Sequence, residues 1–274
     1  MATSVEGGPP AEPSALLERL VRRDRTVAAI ALLVLAATAW ASLVRMRSGI
    51  SPAGGAAMAM PGMMPGMHGW SAIESLQLFL MWATMMVAMM LPSAAPMILL
   101  VAAIERRRRE QASPAAPTAI FAAGYLVVWT GFSAAAALLQ SGLHQAALLS
   151  PAMASTSPVL GGILLVTAGL YQWLPIKGAC LGQCRSPLGF IGTEWREGSA
   201  GALVMGIRHG LFCLGCCWAL MLLLFVAGVM DLRWVAVIGA LVLIEKVTRS
   251  GPELGKLAGL ALMGWGGWMI FTGG

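Results

Sequence analysis

Charged side chains are scarce in this chain, at 11% of its 274 residues. A water-soluble domain carries roughly 25% charged residues to cover its surface. The composition therefore excludes an ordinary soluble domain, and most of the exterior must face lipid. Histidine is also scarce, with three residues in the chain. This scarcity argues against a haem-binding protein, in which His209, His144 or a methionine would hold the haem iron.

Sequence signatures of catalysis are missing as well. The chain has no phosphate-binding loop, no nucleophile elbow and no acid–base pair of carboxylates. An ATP-driven pump is therefore excluded for this chain alone, and the sequence does not predict an enzyme.

The formal charge is +6, but the basic residues flank apolar segments. Lysine and arginine at such positions mark the cytoplasmic side of a membrane, so no nucleic-acid partner is predicted.

Long hydrophobic runs dominate what is present: 58% of the residues are hydrophobic and the mean hydropathy is +0.78. Continuous runs are typical of membrane helices and not of the alternating strands of membrane barrels. The predicted fold is all-α, a polytopic transmembrane helical bundle that crosses the lipid bilayer of a bacterial inner (cytoplasmic) membrane several times. About seven spans are predicted, near residues 27–45, 77–104, 118–140, 159–175, 208–230, 234–248 and 256–272.

Basic residues orient these spans. Arginine and lysine clusters precede the first span, follow the second, and lie after the fourth and the sixth. With seven spans all four clusters are cytoplasmic, so the N-terminus is predicted to be cytoplasmic and the C-terminus external. Residues 1–25 would form a cytoplasmic tail. Residues 26–274 would form one transmembrane helical domain, with a Met-rich external loop at 46–76 and a Cys-containing cytoplasmic loop at 176–207.

Prolines and charges interrupt two of the apolar segments. Pro92 and Pro96 predict that the second span is kinked or broken. Glu245 and Lys246 close the sixth span near its inner end, so snorkelling of both side chains to the interface is the simplest interpretation. A gating or proton-coupling role for Glu245 is the alternative.

The external loop is unusually rich in methionine. Its Pro-Gly repeats forbid a helix, so these methionines cannot form a core stripe. Thioether sulfur is a soft ligand that selects Cu(I), and it survives an oxidising compartment that would convert thiols to disulfides. The pattern predicts metal capture, and a low-complexity interfacial loop is the alternative. The candidate donors are Met58, Met60, Met63, Met64, Met67 and His68.

The second span carries a further methionine series. Met81, Met85 and Met89 lie toward one face of a helix. Methionine is also a common gap filler in packed helices. The sequence favours neither of two interpretations. In the first, the methionines would pack the protein core; in the second, Met85 and Met89 would be ligands along a path that carries metal inward from the external loop.

The fifth span contains a histidine and three cysteines within nine residues. At 100° per residue, the four side chains of His209, Cys213, Cys216 and Cys217 share an arc of about 100°. Membrane cysteines usually pack as small hydrophobes. Three thiols in five positions, one turn from an imidazole, instead favour metal ligation.

The two remaining cysteines, Cys180 and Cys184, lie between Pro175 and Pro187. Five cysteines in two tight groups are a poor disulfide framework and a better ligand set. The Cys-x3-Cys spacing does not define a zinc finger. In a reducing cytosol these thiols would stay free, and would complete a site with the fifth span or pass metal to a cytosolic acceptor. A redox-active pair is the alternative.

Four separated motifs occur in order along the chain. They are Met81-Trp82 through Met89-Met90 with Pro92 and Pro96; Gly169 to Gln172 through Pro175, Lys177, Cys180 and Cys184 to Pro187; Cys213 through Cys216-Cys217-Trp218 and Met221; and Glu245-Lys246. Together they resemble a bacterial family of predicted metal-binding integral membrane proteins, a DUF2182-like domain of unknown function. The resemblance covers roughly residues 75–270 and implies metal binding.

Together these features predict an integral membrane protein that handles Cu(I) by import, retention or delivery to a membrane cuproenzyme. External Met and internal Cys and His side chains would be its ligands. A His-Cys site would also accept zinc. The predicted partners are a cuproenzyme, a copper chaperone or subunits of a membrane complex. The alternative function is a non-catalytic accessory subunit of a larger membrane complex, held by helix packing.

Overall fold

The computed structural model describes residues 13–49, 72–110, 118–146 and 157–273, and within these ranges the chain is helical and contains no strand. The fold class is therefore all-α, as predicted. In chain order the helices are α1 (Pro13–Gly49), α2 (Ala72–Glu110), α3 (Thr118–Gln145), α4 (Pro158–Tyr171), α5 (Pro175–Arg185), α6 (Pro187–Glu194), α7 (Gly198–Leu222), α8 (Leu224–Ala227), α9 (Leu232–Val247) and α10 (Gly251–Gly273).

Several of these helices are long and apolar enough to cross a membrane, as expected of a membrane protein. Five stretches in the described residues qualify: Thr26–Arg47, Ala72–Arg108, Thr118–Gln145, Gly198–Ala227 and Gly251–Gly273. Helices α4 and α5 qualify only as a pair and are bent by 64° relative to each other, which gives a broken span or a re-entrant loop. The total of about seven spans and the orientation of the termini stay predictions.

Helix α9 corresponds to the predicted sixth span but has 16 residues. At about 1.5 Å per residue it extends roughly 24 Å, which is shorter than the roughly 30 Å hydrocarbon core of a bilayer. It packs against α2 and α10, and its last turn carries the buried charges Glu245 and Lys246. α9 therefore brings charged side chains into the interior of the helix bundle.

Proline and serine residues set the boundaries of α4, α5 and α6. Ser157 and Ser186 each accept a hydrogen bond from the backbone N–H three residues later, at 3.2 and 3.3 Å, and a proline follows each of them. Pro175 begins α5 and has no N–H to donate, so α4 cannot continue through it. The bend directs α5 against α7. The segment 176–207, predicted as a loop, is thus largely helical.

Helix α2 passes through Pro92 and Pro96 without ending. Pro92 lacks the N–H that would bond to the carbonyl of Ala88 one turn earlier. The indole N–H of Trp40 in α1 donates to that carbonyl oxygen at 3.2 Å. A neighbouring helix therefore satisfies the backbone group that the proline leaves free, as a membrane helix requires.

We expect a Trp40→Phe variant to lose about 1–2 kcal/mol of unfolding free energy, because the Ala88 carbonyl would lose its partner in an apolar setting. Thermal unfolding of the purified protein in detergent micelles measures the loss. Trp268→Phe in α10 is the matched control, since this indole is 65% exposed. Equal stabilities of the two variants would contradict the assigned role of Trp40.

Helices α3 and α7 approach each other closely at two glycines. A Cβ atom at Gly124 would lie 2.5 Å from the carbonyl oxygen of Leu203, and one at Gly206 would collide with the carbonyl oxygen of Phe121. Only glycine permits this backbone contact, because any Cβ there would overlap main-chain atoms that cannot move independently. The contact fixes the position of α7, which carries four of the predicted metal donors.

Candidate metal centre

Helix α7 carries four of the predicted donors toward the interior of the bundle. It runs unbroken through His209, Cys213, Cys216 and Cys217. The side chains of all four are 1–3% exposed. The three thiols therefore face other helices and not the lipid.

The Cys213 thiol is the polar centre of this region. The ammonium of Lys246 in α9 donates to Cys213 Sγ at 2.9 Å and to Ser93 Oγ in α2 at 3.0 Å. The hydroxyl oxygen of Tyr125 in α3 lies 3.1 Å from the same sulfur and 3.1 Å from the carbonyl oxygen of Met90. A cation of α9 and a hydroxyl of α3 thus lie beside one sulfur atom of α7, and both of these groups also bond to α2.

The next two thiols of α7 form hydrogen bonds to their own helix. Cys216 Sγ and Cys217 Sγ each donate to the carbonyl oxygen of Cys213 at 3.0 Å. Cys217 Sγ also lies 3.9 Å from Met90 Sδ. Both sulfur atoms therefore lie against the preceding turn of α7.

Helix α5 adds a thiol from outside α7. The side chain of Cys184 lies beside the thiols of Cys213 and Cys216. The sulfur of Cys180 lies against the backbone of Gly215, where an added Cβ would be 2.8 Å away. All five cysteines are free. The structure therefore joins the two predicted cysteine groups through Cys184.

Buried polar contacts hold α5 in this position. The Lys177 ammonium is 2.8 Å from both carboxylate oxygens of Glu245 and also donates to Gln172 Oε1. The Arg185 guanidinium donates to the backbone carbonyl of Glu245 at 2.9 Å. Each end of α5 is thereby tied to the end of α9.

Snorkelling, the interpretation given above for Glu245 and Lys246, is wrong. The Glu245 side chain is 1% exposed and forms an ion pair with Lys177. Lys246 is directed inward to Cys213 and Ser93. Paired, desolvated charges of this kind are costly to bury, so a specific role is a better explanation than interfacial anchoring.

His209 has a different environment from the thiols. Its ring packs against those of Phe121, Tyr125 and Phe190, with centroid distances of 5.3–6.0 Å. Within the described ranges its Nδ1 atom is buried and has no hydrogen-bond partner. Aromatic neighbours therefore surround the imidazole, and its proposed role as a ligand stays a prediction.

The candidate metal donors of α5 and α7 contact one another in pairs and do not surround a common point. Among the residues that the structure describes, no group of three or more His, Cys, Asp or Glu side chains is arranged to hold a metal ion. The contacts of Cys184 with Cys213 and Cys216 are thiol-to-thiol pairs. Pairs of thiols suit a metal ion of low coordination number better than a metal ion that is bound by four ligands.

The predicted methionine ligands divide into two groups. Met85 and Met89 are buried in the core, at 1% and 3% exposed, and the side chain of Met89 packs against Gly239. Met90, not either of these, is the methionine beside the cysteines. The other candidates, Met58, Met60, Met63, Met64, Met67 and His68, lie outside the described residues.

Sequence reasoning missed four residues of this region: Met90, Ser93, Tyr125 and Lys246. A signal existed for Lys246, because an ionisable side chain in a membrane segment is by default a functional candidate. Met90 and Ser93 are three positions apart and share one face of α2. Nothing in the sequence indicated that Tyr125 would contact Cys213, or that this face of α2 would contact Cys217 and Lys246.

Comparison with known proteins adds an independent result. Residues 79–269, more than two thirds of the chain, match a family model described as PpoB2, copper chaperone. No curated protein and no solved structure matches the chain. This match is consistent with the predicted handling of copper, while the DUF2182-like assignment stays a prediction. The chain belongs to the PpoB2 copper chaperone family.

Proposed function

We propose that this copper chaperone family member holds Cu(I) between Cys184 and Cys213 and delivers it to a cuproenzyme. The observation that carries the proposal is the contact between these thiols of α5 and α7, with the Lys246 ammonium beside Cys213. Thiolate sulfur is a soft donor that selects Cu(I). The surrounding apolar helices would protect the bound ion from water and oxidants.

The pairwise arrangement of donors favours Cu(I) over zinc. Cu(I) is stable with two thiolate ligands in a line, whereas zinc in a closed protein site takes four ligands in a tetrahedron. The described residues contain no cluster of three or more His, Cys, Asp or Glu donors arranged for a metal. Zinc therefore stays the second candidate metal, and Cu(I) is the proposed cargo.

Neighbouring sulfur atoms offer a route by which the ion exchanges ligands. Cys216 contacts Cys184, and Cys217 lies 3.9 Å from Met90 Sδ. A chaperone must release its metal, and exchange between adjacent sulfurs avoids a free ion. We propose that Cu(I) moves along Cys216, Cys217 and Met90 as it enters or leaves the site between Cys184 and Cys213.

The Met-rich segment at 58–68 would be the point of exchange outside the bacterial inner membrane. Its thioethers bind Cu(I) less tightly than thiolates do, so copper captured there would pass to the cysteines and be retained. Delivery, and not import by pumping, suits a chain without a nucleotide-binding motif. The cuproenzyme that receives the ion would be at or in the same membrane.

A competition experiment tests the proposed site. The full chain is purified in detergent micelles under anaerobic, reducing conditions and titrated with Cu(I) against a chromogenic Cu(I) chelator. We expect Cys184→Ser and Cys213→Ser each to weaken the tightest Cu(I) site by at least about 100-fold, because loss of a ligand exceeds the effect of losing a supporting contact.

The matched control is Cys180→Ser, which removes a thiol one turn earlier on α5. This variant is expected to retain the tightest site, since Cys180 contacts the backbone of Gly215 and is not paired with Cys213. A wild-type chain that leaves all Cu(I) on the chelator would refute the proposal. An equal loss in Cys180→Ser and Cys184→Ser would refute the assigned ligand pair.

A further inference from the structure

A cleft of about 510 Å³ lies between parts of α9 and α10. Along α9 its lining extends from Trp234 to Leu241, and along α10 it extends from Ala258 to Met269. Helix α4, the end of α7 and α8 contribute the remaining lining residues. None of the described residues that line the cleft belongs to the proposed copper site, so the cleft is a separate feature of the protein.

The chemistry of the cleft is that of a hydrocarbon. Every described side chain that lines it is aliphatic, a methionine or a tryptophan. A site that recognises a polar ligand adds a few placed charges, hydroxyls or amides to its apolar lining. The cleft therefore suits an apolar chain and not a sugar, a nucleotide or a phospholipid headgroup.

The dimensions of the cleft match a single lipid tail. At about 1.5 Å per residue, the lining from Ala258 to Met269 is roughly 16 Å long, close to half of the roughly 30 Å hydrocarbon core of a bilayer. A volume of about 510 Å³ over that length gives a cross-section of about 30 Å². A helix with its side chains is about 10 Å wide, so its cross-section of about 80 Å² is too large for a helix of a partner or of a second copy to enter.

The cleft is open on the side where lipid would surround the helices. Val237 on α9 and Trp265 on α10 line it and are both exposed, whereas Leu220 and Leu223 on its other side are buried. Helix α10 is one of the candidate membrane spans. An empty apolar cleft would leave its lining without contacts on one side, and lipid tails are the apolar molecules next to a membrane helix.

We infer that the cleft between α9 and α10 binds one acyl chain of a membrane phospholipid. This binding site goes beyond the proposed function and does not depend on it. The bound chain fills the space between the two helices, which touch through the rings of Trp234 and Trp265 at a centroid distance of 5.8 Å. It thereby supports α9 on a side where α10, which packs mainly against α4, provides little contact.

Native mass spectrometry of the full chain tests this inference. The protein is extracted from membranes, washed in detergent to remove loosely held lipid, and measured before and after addition of phosphatidylglycerol. We expect the wild type to hold about one phospholipid per chain, since the cleft is as long as one leaflet is thick. Ala258→Phe and Ala261→Phe each place a ring in the cleft and should lower the bound phospholipid at least about 10-fold, because an aromatic ring fills much of this space.

The matched control is Ala236→Phe, which enlarges an exposed alanine of α9 that does not line the cleft. This variant should hold as much phospholipid as the wild type. Ala261 is itself exposed, so its variant remains informative if Ala258→Phe folds poorly. A wild type that holds no phospholipid, an equal loss in the control, or full retention in the Ala261 variant would overturn the inference. A dimer on size-exclusion chromatography with light scattering that Ala261→Phe alone dissociates would also overturn it, because a second copy would then be the occupant.

Discussion

A Glu245→Ala variant is expected to lose about 3–5 kcal/mol of unfolding free energy, because removing one partner leaves a buried charge unpaired. The carboxylate of Glu245 accepts both 2.8 Å hydrogen bonds from Lys177, and both side chains are at most 4% exposed. The pair joins α5 to α9. Its loss should therefore also loosen the helix that carries Cys184.

Chemical or thermal unfolding in detergent micelles measures this effect, with helical circular dichroism as the signal. The double variant Lys177→Met/Glu245→Gln is the control, because replacing both charges removes the unpaired ion and should restore most of the loss. If the double variant were as unstable as Glu245→Ala, packing at this position, and not the unpaired charge, would be the cause.

A Gly206→Leu variant is expected to lose at least about 3 kcal/mol, the upper part of the range for an overpacked core. A Cβ at Gly206 already collides with the carbonyl oxygen of Phe121 on α3. The obstacle is backbone, so no rotamer change relieves it, and the two helices must separate. The protein should then unfold at a lower temperature and aggregate on size-exclusion chromatography.

Gly131→Leu on α3 provides the control for this prediction. An added Cβ at Gly131 meets nothing within 4 Å, and replacing glycine within a helix removes its entropic cost. We expect this variant to be as stable as the wild type or slightly more stable. Equal instability of both leucine variants would show that the α3–α7 contact does not limit stability.

Much of the fold could be predicted from local sequence. Long apolar runs with few charges require helices in lipid, and proline and serine pairs predict where α4 and α6 begin. The short helices within segment 176–207 were not predicted, and the reason is physical. Its short helices α5 and α6 contain charges and glycines, so apolar periodicity, the signal used, is weak there.

The candidate site was less predictable. The spacing of His209 and the three cysteines of α7 follows from helical geometry alone. The approach of Cys184 to Cys213 depends on a 64° bend between α4 and α5, and no local pattern fixes the direction of such a bend. The same holds for Met90, which was passed over in favour of Met85 and Met89 although all three are on α2.

The sequence by itself determined that this chain is helical and suited to a membrane, and that α7 carries soft donors on one side. Those properties depend on composition and on neighbours within a few residues. Only the tertiary structure decided that Lys246 contacts Cys213, that Glu245 pairs with Lys177, and that the imidazole of His209 is enclosed by aromatic rings. These contacts join residues far apart in the chain, and helix packing, which local periodicity does not encode, brings them together.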